Sequence, residues 1–227
     1  VKFWHSLGAS RVVLARELSL KEVKEICAGI PEDMEVEVFV HGAMCISYSG
    51  RCLLSNYMAG RDSNKGDCAQ PCRWKYQLME EKRPGEYFPI HEDERGTFIF
   101  NSKDLCMIRH IPELVSSGVS SLKIEGRVKS AFYVATVVKA YRDAIDAYYN
   151  NQSYDEKWFE EISTVSNRDF TTGFFFGKPG PNDHNYSTSS YIRNYDFVGI
   201  VKGYDSEKGM VIIEQRNRFK VGDKVEV

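Results

Sequence analysis

Short apolar runs alternate with segments of helical periodicity in the first half of the chain. Residues 11–15 (RVVLA) and 36–40 (VEVFV) are typical of strands buried on both faces. Between them, Ser19 is a candidate helix N-cap with Glu22 at the capping-box position, and apolar residues follow at helical spacing: Leu20, Val23, Ile26 and Cys27. Gly29 ends this helix. A strand, a helix and a strand at this pitch form a βαβ unit and predict a parallel sheet within an α/β fold.

The same alternation returns after a polar, hairpin-like segment at 75–95. A strand is predicted at 98–101, and a helix starting at Ser102 or Asp104 would carry the apolar residues Leu105, Ile108, Ile111, Leu114 and Val115 until Gly118. Residues 121–125 (SLKIE) predict a further strand, and a long amphipathic helix follows from about Ser130 to Tyr149. Four βα units are therefore predicted, at 11–29, 36–60, 98–117 and 121–149. Together they amount to half of a TIM-type (β/α) barrel spanning 1–149.

The pattern changes after residue 149. Residues 150–194 contain a polar linker, a short helix predicted from Trp158, Phe159 and Ile162, and an aromatic, glycine-rich stretch at 170–177. Residues 195–227 alternate valine and glycine with charged residues, which predicts the start of a small, truncated all-β barrel-like module. Such barrels often bind nucleic acid, and a docking or folding role is an equally open alternative.

Composition narrows the class of protein. The chain has 227 residues, a formal net charge of −2, 42% hydrophobic and 27% charged residues. These values are ordinary for a globular protein, and the chain as a whole has no field that would attract nucleic acid or an anionic membrane. No apolar run approaches the roughly 20 residues that a membrane span needs, so we expect a cytoplasmic protein without a membrane partner. The chain opens at Val1 and stops inside a predicted strand, which suggests a fragment of a longer protein.

Four of the six cysteines cluster in the glycine-rich loop at 42–74. Cys45, Cys52, Cys68 and Cys72 are separated by six, fifteen and three residues. Cys27 and Cys106 instead lie in apolar patterns and are expected to fill the core. Disulfides are an alternative for the loop cysteines, but nothing else in the sequence is typical of a small secreted scaffold. We therefore predict that the four loop thiols hold a metal or a cluster.

The spacing leaves two cofactors open. Zinc sites usually contain two short C-x₂₋₄-C knuckles, and only the last pair, Cys68 and Cys72, has such a spacing. The long first spacing and the proline before Cys72 favour a [4Fe–4S] cluster, with zinc as the alternative.

Charged residues follow the predicted strands and supply candidate substrate and catalytic groups. The carboxyl ends of barrel strands meet at one mouth, so these side chains are expected to converge there: Arg16, Glu17, Glu37, His41, Lys123, Glu125 and Arg127. Basic residues of the cysteine loop, among them Arg51 and Arg73, could offset the charge of a cluster or bind phosphate or a dicarboxylate. Structural salt bridges or a solvated basic face are the alternatives. Sequence motifs of serine and zinc proteases are absent.

Two segments of the cysteine loop resemble a known family. EVFVHGAMC at 37–45, four further residues and GRCLLS at 50–55 match the signature of the collagenase-like peptidase family of unknown catalytic type, peptidase family U32. CAQPCRW at 68–74 and SLKIEGRVKS at 121–130 are similar to its tRNA hydroxylation protein P branch. The resemblance implies that 1–149 is the C-terminal half of the barrel. The N-terminal half would be supplied by the parent protein, by a separate chain or by a homo-oligomer.

The resemblance implies two activities. One is an iron–sulfur RNA-modifying enzyme that hydroxylates the wobble uridine of tRNA with prephenate as a source. There the four cysteines would hold the cluster, Glu17, Lys123, Glu125 and Arg127 would line the catalytic mouth, and Arg16, His41, Arg51 and Arg73 would bind substrate. The other is a collagenase-like (metallo)peptidase, as in the older description of the family. A metal-stabilised assembly module without catalysis is a third possibility.

Overall fold

The computed structural model describes residues 1–45, 47–74, 77–78, 85, 88–89, 102–180, 183 and 195–225. The chain divides into two units, 1–192 and 193–227. The helices of the first unit are α1 (Lys2–Ser6), α2 (Leu20–Ala28), α3 (Leu54–Ala59), α4 (Ile111–Ser116), α5 (Ala131–Tyr149) and α6 (Lys157–Thr164). Its strands are β1 (Arg11–Val13), β2 (Glu35–Ala43), β3 (Gln77–Leu78), β4 (Phe88–Pro89), β5 (Asp104–Cys106), β6 (Ser121–Ile124) and β7 (Phe170–Thr171).

The first βαβ unit forms as the sequence predicts. Ser19 caps α2 through a capping box: its hydroxyl accepts from the Glu22 N–H at 3.3 Å, and the Glu22 carboxylate accepts from the Ser19 N–H at 2.7 Å. Val23 on the inner face of α2 is almost fully buried. β1 and β2 then pair in parallel, with Arg11 opposite Glu35.

β2 is the central strand of the sheet. Its alternate residues Val36, Val38 and Val40 are at most 2% exposed, so they anchor the core. β6 pairs with β2 in parallel on the side away from β1, although the predicted unit at 98–117 lies between these two strands in the sequence. The register shifts between Phe39 and His41, which marks a β-bulge. This irregularity changes which side chains of the strand face the core.

The segment after residue 102 differs from the prediction. Asp104–Cys106 is the strand β5 rather than a helix, and α4 begins only at Ile111, with Pro112 in its first turn. β5 pairs antiparallel with His41–Ala43 of β2 and parallel with β7. These residues form a strand because their backbone groups bond to β2 on one side and to β7 on the other. This buried sheet pairing overrides the helical spacing of the side chains. The strand predicted at 98–101 lies outside the described residues.

The described strands make an open, mixed sheet. The order is β1-β2-β5-β7, and β6 also pairs with β2. The α/β class is confirmed, whereas no closed barrel forms among the described strands. Because β2 and β5 are antiparallel, this part of the sheet also departs from the all-parallel arrangement that we predicted. Half of a TIM-type barrel stays a prediction.

The long helix α5 covers the sheet. Ser130 caps it by accepting from the Tyr133 N–H at 3.1 Å, in agreement with the predicted start near Ser130. Its buried face includes Tyr133, Val137, Ala140, Tyr141 and Ala144. The predicted short helix also forms, as α6, with Trp158 and Ile162 buried. Within the polar segment at 75–95, β3 and β4 pair antiparallel, as a hairpin requires.

The second unit contains the antiparallel hairpin of β8 (Gly199–Asp205) and β9 (Met210–Gln215). Residues 219–225 carry no strand in the described part of the unit, so the barrel-like module is not confirmed and stays a prediction. In the described part of the chain, none of the helices is both long enough and apolar enough to span a bilayer.

Candidate functional site

The cysteine loop leaves the sheet at the carboxyl end of β2 and borders a cavity of about 730 Å³. The four predicted ligands Cys45, Cys52, Cys68 and Cys72 all line this cavity. Side chains at the ends of β1 and β6 line it as well, namely Arg16, Lys123, Glu125 and Arg127. The structure therefore brings the predicted thiols and four of the predicted charged groups to one place.

Cys45 and Cys52 occupy different electrostatic environments. Burial raises the pKa of Cys45, although its sulfur accepts from the Ser47 N–H at 3.4 Å. Burial also acts to raise the pKa of Cys52, but hydrogen bonds from the Leu54 N–H and from Ser63 help to outweigh it and lower the pKa. Cys52 is therefore the better prepared of the two to act as a thiolate.

Side-chain hydrogen bonds hold the loop around Cys52. Its carbonyl oxygen accepts from the Ser63 hydroxyl at 2.9 Å and from the Asn64 amide at 3.1 Å. The fully buried Ser55 accepts from the Ala69 N–H at 2.9 Å and so joins α3 to the segment before Cys72. The loop is thus held by short polar side chains that bond backbone groups 11 to 14 residues away in the sequence.

Cys68 and Cys72 flank a tight turn. The Gln70 N–H donates to the Cys68 sulfur at 3.2 Å, and the short 3₁₀ helix Pro71–Arg73 follows and buries Cys72. The predicted substrate residue Arg73 is the last residue of this helix.

The chemistry around the thiols bears on the two predicted cofactors. The six cysteines all lie in described residues and form no disulfide. No three His, Cys, Asp or Glu side chains in the described part of the chain form a group that could hold one metal ion. Four thiols around a single cavity, with N–H groups donating to the sulfurs of Cys45 and Cys68, have the donor chemistry of iron–sulfur ligands.

The remaining cysteines lie elsewhere. Cys106 is buried, and burial raises its pKa to about 11. Cys27 is half-buried and packs against the core, next to Gly118. Both placements agree with the predicted core role.

Two cations and an aromatic ring line the side of the cavity formed by β1, β2 and β6. The Arg16 guanidinium lies 3.7 Å from the centre of the Phe39 ring, and the Lys123 ammonium lies 5.4 Å from it. Lys123 also donates to Glu37 at 2.8 Å, and this bond lowers the pKa of the Glu37 carboxyl, with help from Ser121 and Arg11. Glu37 was among the charged residues predicted to converge on the barrel mouth, whereas Phe39 was not among our predicted site residues. The outward position of Phe39 in an alternating strand was the available signal.

The two predicted acids are both held by hydrogen bonds. Glu17 accepts from the Ser49 N–H at 2.9 Å and from the Ser49 hydroxyl at 3.2 Å, which joins the segment between β1 and α2 to the cysteine loop. Glu125 accepts from the Gln70 side-chain amide at 3.3 Å and from the Arg127 N–H at 3.2 Å. Arg51 is exposed and lines an adjoining pocket with Arg16 and Glu17.

His41 lies apart from the cavity. It is 1% exposed and contacts the rings of Tyr133, Tyr141 and Phe170 in the core. Burial lowers its pKa to about 3. The structure therefore separates His41 from Arg16 and Arg51, two of the other predicted substrate-binding residues.

Gly42 lets β2 approach the end of β6. Its φ is +106°, and a Cβ atom at this position would lie 2.3 Å from the Glu125 carbonyl oxygen. Only glycine fits a positive φ at such a distance. The glycine directly after an apolar strand was the sequence signal for this contact.

Comparison with known proteins supplies the family. Residues 1–185 match peptidase family U32, and residues 193–227 match the peptidase family U32 C-terminal domain. tRNA hydroxylation protein P1 of Bacillus subtilis (strain 168) is 47% identical over 100% of this chain and 54% of its own length. tRNA hydroxylation protein P of Escherichia coli (strain K12) is 38% identical over 100% of this chain and 58% of its own length.

A relative with a different name also matches. A collagenase of Porphyromonas gingivalis (strain ATCC BAA-308 / W83) is 35% identical over 98% of this chain and 56% of its own length. The chain thus spans about half the length of the curated relatives that it matches. No solved structure gives a significant match. The matched residues cover nearly the whole sequence, and the chain belongs to peptidase family U32.

Proposed function

We propose that the protein to which this chain belongs is an iron–sulfur enzyme that hydroxylates the wobble uridine of tRNA with prephenate as a source. The observation that carries the proposal is the cavity that four cysteines share with Lys123, Glu125 and Arg127. The relatives named tRNA hydroxylation protein support tRNA as the substrate. The proposed activity is that of the whole protein. The chain spans only about half the length of these relatives.

In this proposal Cys45, Cys52, Cys68 and Cys72 hold a [4Fe–4S] cluster. When bound, such a cluster supplies one-electron transfer at a potential set by its charge and by the hydrogen bonds to its sulfurs. The chain contributes the N–H donors of Ser47 and Gln70.

The cations around the cavity would bind the small substrate. Prephenate is a dicarboxylate, and arginine and lysine bind carboxylates through charge-assisted hydrogen bonds. A guanidinium stacked on a ring donates in its own plane, so Arg16 above Phe39 presents a fixed donor edge. Lys123 and Arg127 would supply further positive charge, while Glu125 would act as the acid–base group at the mouth. Arg51 and Arg73 would contact the RNA phosphates or the carboxylates.

The analysis of tRNA from a deletion strain tests the proposal. Mass spectrometry of its nucleosides is expected to show loss of the hydroxylated wobble uridine. The wild-type gene and a Cys27→Ser variant should restore it, whereas Cys52→Ser should not. Hydroxylated uridine at its normal level in the deletion strain would reject the proposal.

A collagenase-like peptidase is the second candidate, and the Porphyromonas relative is the observation in its favour. A cysteine–histidine pair would be needed within the loop, but His41 packs against three aromatic rings in the core. Cleavage of gelatin or casein by the purified protein, lost in Cys45→Ser, would favour this candidate over the hydroxylase. Activity that appears only when a partner chain is added would favour the assembly module.

A further inference from the structure

Gln70 has a backbone conformation that its side chain does not favour. Its φ is +55° and its ψ is +43°, the left-handed region, and only Asn151 shares a positive φ among the described non-glycine residues. Glycine or asparagine adopts this region at lower cost than glutamine. Pro71 follows directly and disfavours the right-handed helical region for the residue before it. A glutamine that keeps this unfavourable conformation indicates that its side chain makes an interaction that a glycine could not make.

The Gln70 side chain lines the cavity and reaches Glu125, which lines it as well. The Gln70 amide donates to one oxygen of Glu125 at 3.3 Å, and the Arg127 N–H donates to the other oxygen at 3.2 Å. With both oxygens bonded, the plane of the Glu125 carboxylate is fixed. Gln70 and Glu125 are both partly buried, so the bond between them is shielded in part from water.

The same residues close a ring of hydrogen bonds. The Gln70 N–H donates to the Cys68 sulfur at 3.2 Å, and the Arg127 guanidinium donates to the Cys68 carbonyl oxygen at 3.1 Å. The ring therefore runs from Cys68 through Gln70, Glu125 and Arg127 back to Cys68. Two of its members belong to the cysteine loop and two to the end of β6.

The backbone on the β6 side of this ring is itself held. The Glu125 N–H donates to the His41 carbonyl oxygen at 2.9 Å, and Gly42 lies against the Glu125 carbonyl. Movement of the cysteine loop is therefore expected to change the orientation of the Glu125 side chain more than the position of its backbone.

We infer that Gln70 is a positioning residue, which ties the orientation of the Glu125 carboxylate to the conformation of the loop that carries Cys68. A group that binds the thiols and orders the cysteine loop would then also orient the Glu125 carboxylate. The hydrogen-bonded ring is independent of the reaction, whereas its effect on turnover rests on the proposed hydroxylase function.

Residue-resolved hydrogen exchange of the full chain tests the ring. The Arg127 N–H is the reporter, because its acceptor is Glu125 and it has no hydrogen bond to Gln70. In Gln70→Gly, which fits the left-handed backbone but lacks the amide, its exchange is expected to be about fivefold faster, the factor that corresponds to one net hydrogen bond. Asn151→Gly is the matched control, since it changes the other left-handed residue, and should leave this exchange rate unchanged.

A double-mutant cycle separates positioning from simple loop support. Glu125→Ala removes the acceptor, so Gln70→Gly should cause no further acceleration in that background. Additive effects, or an unchanged rate at Arg127 in Gln70→Gly, would overturn the inference. Gln70→Asn, which tolerates the same backbone but has a shorter side chain, should behave as Gln70→Gly does and guards against an effect peculiar to glycine.

Turnover supplies the second measurement. In the whole protein, Gln70→Gly should lower kcat for tRNA hydroxylation by roughly tenfold or more with KM for tRNA unchanged, because misplaced catalytic groups lower the rate of the chemical step. The expected exchange pattern together with a complete lack of hydroxylation by the wild-type protein would reject the proposed function and still support the ring. Unchanged kcat in an active enzyme would overturn the positioning role.

Discussion

The imidazole of His41 is surrounded by aromatic rings and is expected to make stability depend on pH. Its pKa is lowered to about 3 by burial, with Lys129 lowering it further and Asp104 opposing the shift. The unfolded chain binds the imidazole proton below about pH 6.5, while the folded chain does not until near pH 3. Lowering the pH from 7.5 to 5 should therefore reduce the free energy of unfolding by about 2 kcal/mol from this residue alone. Urea unfolding at the two pH values measures the difference.

His41→Phe is the variant that isolates this effect. Phenylalanine suits the aromatic surroundings, and the Tyr141 hydroxyl keeps its bonds to Val40 and Met107. The pH-dependent loss should be about 2 kcal/mol smaller in this variant than in the wild type. An equal loss in both proteins would show that His41 is protonated without unfolding.

Iron retention should distinguish the loop cysteines from the core cysteines. Removing one of four thiolate ligands weakens a cluster strongly, so Cys52→Ser, purified without oxygen, is expected to lose most of its iron and sulfide. Cys27→Ser should keep the wild-type content, since Cys27 packs against the core. Iron analysis and the visible absorption spectrum measure both. Equal metal content in the two variants would contradict ligation by Cys52.

The sequence predicted which residues gather at the site better than it predicted the direction of each side chain. Clustered thiols and charged strand ends are visible in the order of residues, and the structure gathers them around one cavity. His41 could not be placed in this way. Strict alternation along β2 would point it away from Val40, but the register shift beside it lets both residues be buried. A bulge depends on the partner strand, which a local pattern does not reveal.

At the level of elements, the contact between β2 and the end of β6 depends on Gly42. Gly42→Ala adds a Cβ atom 2.3 Å from the Glu125 carbonyl oxygen and forces a positive φ on alanine. We expect a loss of about 3 kcal/mol in the free energy of unfolding, from backbone strain and overpacking together. Chemical denaturation measures it.

Gly50→Ala is the matched control for this prediction. Gly50 also has a positive φ, but a Cβ atom there would have nothing within 4 Å. Only the backbone strain remains, so the expected loss is about 1 kcal/mol. Similar losses at the two positions would mean that the strands move apart at little cost.

Elements with a strong local signal were predicted well, and the rest depended on distant partners. Ser19 with Glu22, and Ser130 with the long apolar stripe behind it, set the beginnings of α2 and α5. Residues 104–106 follow a helical spacing but form a strand, because the end of β2 and β7 lie on either side of them. The decisive partners are more than 60 residues away in either direction, and no local pattern contains them.

For the whole molecule, net charge and local charge lead to different expectations. A formal charge of −2 gives this chain no general attraction to RNA, so under the proposed function the phosphate contacts made by this chain must come from local groups. Several basic residues of the hairpin unit are already paired: Lys202 and Arg216 with Glu214, and Lys208 with Asp205. Arg218 and Lys220 follow β9 and are exposed. They are the better candidates for binding RNA phosphates.

The salt dependence of tRNA binding by the whole protein can count these contacts. The logarithm of the binding constant falls with the logarithm of salt concentration, with a slope of roughly one for each phosphate contact. Changing both Arg218 and Lys220 to alanine should therefore reduce the slope by about two. Lys208→Ala is the control, and should change the slope less because Lys208 already pairs with Asp205. If the double variant keeps the wild-type slope, RNA binds elsewhere on the protein and the hairpin has a structural or docking role.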